Sequence, residues 1–108
     1  MASTPESKVK KSVKNVLESL GAYYVMPVTG GYGNSGAPDF LVCYKGRFIG
    51  IECKAGRNKP TALQEKNLRE IDDAGGVGLV VNEENVVDVL LLINKSLEGE
   101  SNETQTSR

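Results

Sequence analysis

Three residues in the first half of the chain have the types and spacing to act together: Asp39, Glu52 and Lys54. Asp39 stands just before the run Phe40 to Tyr44. Glu52 lies in the run Phe48 to Cys53, Lys54 follows it, and Lys45-Gly46 separates the two runs. Both runs are rich in β-branched and aromatic residues, so the stretch reads as a β-hairpin. With a two-residue turn, Tyr44 faces Arg47, and counting back places Asp39 opposite Glu52. Opposed residues share a sheet face with Cβ atoms about 4.5–5.5 Å apart. The strand period of two puts Lys54 on that face as well. Carboxylates held so close repel one another. Either one of them stays protonated, or a divalent cation with oxygen ligands sits between them and leaves Lys54 to polarise or orient a nucleophilic water. A slip of one residue would send the two acids to opposite faces and remove the argument.

The ordered set Gly36-Ala37-Pro38-Asp39, Ile51-Glu52-Cys53-Lys54 and Gln64 has a further reading. Over roughly residues 6 to 81 the chain resembles the PD-(D/E)XK nuclease superfamily, and within it the small stand-alone virus-type replication-repair nuclease (VRR-NUC) domains. Pro-Asp or Glu-x-Lys alone carries little; the set in this order, on this hairpin, is specific. The resemblance implies a restriction-endonuclease-like αβββαβ core and a metal-dependent endonuclease that hydrolyses phosphodiester bonds in DNA. It implies Mg2+ or Mn2+ on Asp39, Glu52 and the backbone carbonyl of Cys53, with Lys54 activating the attacking water or stabilising developing negative charge. Gln64 would help orient water or phosphate; its spacing from Thr61 also makes a capping box, which is a complete structural explanation.

The family usually adds an acid from the first helix, near the position held here by Lys10. That is a departure. Glu6, one turn earlier and on the inward side, is the substitute the resemblance offers, although an acid at a helix N-terminus is also favoured by the macrodipole. Similar stand-alone domains resemble Holliday junction resolvases, which act as homodimers on branched DNA. The expectation is therefore a structure-selective enzyme in the cytoplasm, with phage origin as one reading. A nuclease for flap, nicked or linear DNA would share every residue named. A catalytically silent DNA-binding module of the same fold is the rival that Lys10 favours. A plain interaction protein with an incidental acidic pair is the third.

At 108 residues with a formal net charge of −1, the chain has the size of one small domain. The net charge hides an asymmetry. Residues 1–60 carry nine Lys/Arg against four Asp/Glu, and residues 61–108 carry four against ten. Local fields steer a phosphate backbone, and Lys10, Lys11, Lys14, Arg57 and Lys59 all belong to the basic half. The alternative for each is an ordinary solvated charge. No signal-peptide pattern and no apolar run of membrane-spanning length is seen. Cys43 and Cys53 suit buried thiols in a reducing compartment, and the lack of histidine argues against zinc.

These residues need elements to hold them. A first helix begins near Thr4, with Pro5 at its first position and Ser3-x-x-Glu6 also spaced as a capping box. Val9, Val13, Val16, Leu17 and Leu20 form its apolar stripe and Gly21 ends it. Ala22 to Val28 should be a strand. The glycine-rich segment from Thr29 to Ala37 is a mobile loop, which the resemblance lays against DNA with Tyr32 and Asn34 as contacts. A second helix runs from Thr61 to about Ala74 with Leu63, Leu68 and Ile71 inward. Val77 to Val81 reads as a strand buried on both faces. The fold class is thus α/β, a small mixed β-sheet flanked by helices, with a helical C-terminal segment. In that segment Val86, Val87, Val89, Leu90 and Ile93 form the inward stripe, while Leu91 and Leu92 widen it toward a dimer contact. Residues 1–95 make the domain, and the polar tail 96–108 should be disordered.

Overall fold

The structure, a computed structural model, describes residues 4–28 and 36–95. Tyr32, Asn34 and the tail 96–108 lie outside the described residues, as does Ser3 of the alternative capping box. Helix α1 spans Pro5–Leu20, with Pro5 in its first turn. The Thr4 hydroxyl oxygen caps it by accepting from the Ser7 N–H at 3.1 Å. Gly21 ends it at φ 72°, the left-handed conformation that costs glycine nothing. Val9, Val13 and Leu17 are its buried face.

Strands β1 (Tyr23–Val25), β2 (Phe40–Tyr44), β3 (Arg47–Cys53) and β4 (Val77–Val81) form one sheet in the order β1-β2-β3-β4. The first two pairings are antiparallel and β3–β4 is parallel, so the sheet is mixed. Helix α2, Ala62–Asp73, makes the crossover between the two parallel strands. Lys45 and Gly46 turn the β2–β3 hairpin with φ of 52° and 78°. Two successive positive φ values are the two-residue turn whose twist matches the strands. The register follows: Tyr44 pairs with Arg47 and Phe40 with Ile51.

Strand alternation sends the two faces of the sheet to different neighbours. Phe40, Val42, Ile49, Ile51, Cys53, Val77 and Val81 join the buried face of α1 and Val86, Val89 and Ile93 in the main core. On the other face α2 lies over β3 and β4. It comes close because Gly50 and Gly78 carry no side chain there. A Cβ at Gly50 would stand 2.5 Å from Ile71 Cδ1, and one at Gly78 would stand 2.9 Å from the Leu68 carbonyl oxygen.

Several expectations need correction. The first strand stops at Val25 rather than Val28, because the next partner in register for Asp39 is Pro27, which has no N–H to donate. Among the described residues β4 is the edge strand of the sheet, and Val80 is exposed rather than buried. Cys43 is exposed rather than buried: it lies on the α2 face of β2, where α2 does not reach. Leu63 is exposed and covers Gly36 instead of entering the core. The last segment opens with a 3-10 turn at Val86–Asp88 before residues 89–95 become helical. Val86, Val89 and Ile93 point inward, and Val87 and Leu90 turn out of the expected stripe to solvent.

Candidate active site

Pro38 and Asp39 lead directly into β2, one position beyond the last β2–β3 pair. There the Asp39 carboxylate does what a further backbone rung would have done: Oδ2 accepts the Cys53 N–H at 2.8 Å. That bond fixes the carboxylate at the end of the hairpin, with its side chain 19% exposed. Its other oxygen, Oδ1, faces the ammonium of Lys10 at 3.4 Å, reaching over from α1. Lys10 also lies 3.9 Å from Glu6 Oε2, one helical turn away.

Glu52 is the one buried charged residue among the described residues, 2% exposed within β3. Its Oε2 lies 3.6 Å from Lys54 Nζ, and its Oε1 is buried with no hydrogen-bond partner. Such an orphan oxygen is costly and calls for an explanation. Burial first, then the negative charge of Asp39, push the Glu52 carboxyl up to about 7, against the opposing pull of Lys54. Lys54 is itself largely covered, and its backbone N–H donates to the Val81 carbonyl at 2.9 Å, which carries the β3–β4 pairing past the end of the strand. The Cys53 thiol is pushed up to about 12, chiefly by burial and then by Asp39 and Glu52. It is a packed apolar group, not a thiolate ligand or nucleophile.

The hairpin, the start of β2 and α1 thus bring Asp39, Glu52, Lys54 and Lys10 together. Glu6 stands at the margin of this group: it is half-exposed, meets Lys10 at 3.9 Å, and its charge adds to the upward push on Glu52. Among the described residues no three His, Cys, Asp or Glu side chains converge as a metal cluster. The donors on offer are nonetheless hard. Two carboxylates, one with an unsatisfied oxygen, suit a divalent cation that keeps waters in the rest of its shell.

Gln64 forms the full capping box, its Oε1 accepting the Thr61 N–H at 2.8 Å while Thr61 Oγ accepts the Gln64 N–H at 3.2 Å. Lys11 and Lys14 are exposed along α1, and Arg57 and Lys59 are exposed on the loop after Lys54. Two features escape a reading of the sequence. Glu83 pins that loop by accepting the Gly56 N–H at 3.0 and 2.9 Å; the Glu83-Glu84 pair signals only the start of the last segment. The approach of Lys10 to Asp39 is the other; its single signal is a lysine where the resemblance expects an acid.

Solved structures share this architecture. One, described as "VRR_NUC domain", superposes with a TM-score of 0.67 and 28% identity, covering 82% of this chain and 96% of that one. The chain has the fold of a VRR-NUC domain. A second, described as "VRR_NUC domain protein", superposes with a TM-score of 0.66 at 19% identity, covering 88% of this chain and 92% of that one, and supports the fold. No protein-family model and no curated protein matches the chain. The restriction-endonuclease-like α/β arrangement of the VRR-NUC domain is the mixed sheet described above, with its acidic pair at the end of the central hairpin. No helix among the described residues is long and apolar enough to cross a membrane.

Proposed function

We propose that this VRR-NUC domain is a divalent-metal-dependent nuclease that hydrolyses phosphodiester bonds in DNA through Asp39, Glu52 and Lys54. The observation that carries the reading is the buried, unsatisfied Glu52 Oε1 beside an Asp39 oriented by a backbone N–H. Asp39 and Glu52 would hold Mg2+ or Mn2+, with the Cys53 carbonyl as a further oxygen donor and Glu6 joining directly or through water. The bound ion would supply Lewis acidity, lowering the pKa of a coordinated water and offsetting negative charge on the phosphoryl oxygens.

The chain's own residues then have distinct tasks. The Cys53 N–H holds Asp39 in one orientation, so little order is lost on binding. Lys54, tethered to Glu52, orients the attacking water or stabilises the charge that develops in the transition state. Gln64 spends its carbonyl on the cap of α2, which leaves its amide group to orient water or phosphate at the edge of the site. Lys11, Lys14, Arg57 and Lys59, with Tyr32 and Asn34, are proposed DNA contacts. We assign the domain to a homodimer acting on branched DNA such as a four-way junction inside the cell, with a phage-encoded origin as part of the same reading. Exposed Val87 and Leu91 support the dimer.

The test is cleavage of a labelled four-way junction, a flap, a nicked duplex and a linear duplex with Mg2+ or Mn2+. Asp39→Asn and Lys54→Ala should each lower the rate by at least about a hundredfold, the scale of losing a residue that acts in the transition state. Symmetrical junction cutting supports the junction assignment, and cutting confined to flap, nicked or linear DNA removes it while keeping the chemistry. The ion pair between Lys10 and Asp39 favours a second reading, a DNA-binding module without catalysis. Binding of all four substrates with no metal-dependent cutting of any would establish it.

A further inference from the structure

We infer that Lys10 is an exchangeable cation of this centre: its ammonium occupies Asp39 Oδ1 until a divalent ion displaces it, and the displaced ammonium then receives a phosphodiester oxygen of the DNA. The inference rests on the reading of Asp39 and Glu52 as metal ligands. Asp39 has two oxygens, and the structure accounts for both. Oδ2 is bound by the Cys53 N–H at 2.8 Å, and Oδ1 faces Lys10 Nζ at 3.4 Å. A metal on Asp39 would reach most readily for Oδ1, and an ammonium cannot stay beside that oxygen against a dication.

The charges around the centre show why the lysine is there. Glu6, Asp39 and Glu52 set three carboxylates against the ammonium groups of Lys10 and Lys54. Lys54 serves the buried Glu52, so Lys10 is the counter-charge to Asp39 in the metal-free protein. Its side chain is 36% exposed on a long flexible stem, unlike that of Lys54, and can withdraw toward solvent without unpacking the core. Withdrawal leaves a positive group at the rim of a metal-loaded centre, where a phosphate would arrive. An acid at this position would have added a metal ligand; the lysine links metal binding to phosphate binding.

Calorimetric titration of the metal-free protein with Mn2+ tests the exchange. Lys10→Gln should bind Mn2+ about tenfold more tightly than wild type, a coupling of ordinary size, and Asp39→Asn should lose most of the affinity. Equal or weaker affinity in Lys10→Gln, with binding still lost in Asp39→Asn, overturns the exchange alone. Wild-type affinity in Asp39→Asn overturns the metal reading and the exchange with it. Binding to a short DNA duplex supplies the second readout. With Ca2+ bound, Lys10→Gln should weaken binding severalfold and lower the salt slope by about one; in chelator it should leave binding unchanged. Loss in both conditions, or in neither, overturns the phosphate-capture step.

Discussion

At the scale of single residues, the centre is built from conflicts. Glu52 is buried next to Asp39, and the pull of Lys54 does not return its carboxyl to the ordinary range. A carboxyl raised in the folded protein favours folding while it is protonated. Its contribution is complete below the ordinary value of 4.5 and is lost as pH rises through about 7. In chelator, then, the melting temperature of the wild type should fall relative to that of Glu52→Gln between pH 4.5 and 7.5. A gap between the two proteins that does not change over that range would refute the assignment. Saturating Mn2+ should stabilise the wild type above pH 7 and have little effect on Glu52→Gln.

At the scale of elements, the acids depend on how closely α2 rests on the sheet. Gly50 lies in β3 two residues before Glu52, under both Ile71 of α2 and Pro38, the residue that leads into Asp39. A methyl group at Gly50 would come within 2.5 Å of Ile71 Cδ1 and 3.1 Å of Pro38 Cγ. Gly50→Ala should therefore destabilise the protein by about 1–3 kcal/mol, the usual range for overpacking. Ile71→Val removes the atom in nearest conflict. Urea unfolding of the double variant should recover part of the loss, so that the two changes are less than additive. Strict additivity would mean that Ile71 is not what Gly50 accommodates.

At the scale of the whole molecule, a domain this small has a limited core, and its apolar surface is unevenly placed. Val87 and Leu91 are 80% and 59% exposed on the last segment, beside the buried Val86, Val89 and Ile93. Light scattering should give twice the chain mass of 11.6 kDa, and Leu91→Glu should return it to the monomer value. A monomer mass for the wild type at high protein concentration would remove the dimer. The same geometry bears on junction cutting, since two centres on one substrate require two copies.

What the sequence determined by itself was local or simply periodic. Thr4, Gly21, Thr61 with Gln64, and Lys45-Gly46 each act on backbone within a few residues, so the helix limits and the hairpin turn could be read directly. From that turn, the period of two carried the register to Asp39 and Glu52. Tertiary structure decided what depends on distant neighbours. It exposed Cys43 because α2 lies over β3 and β4, placed Leu63 over Gly36 rather than in the core, and made β4 the edge strand among the described residues. It also brought Lys10 from α1 to the end of β2, a contact set by how the helix packs across the core rather than by any spacing along the chain. Burial and long-range packing are sums over the folded whole, and for that reason the acidic pair and Lys54 were legible in the sequence while the approach of Lys10 to Asp39 was not.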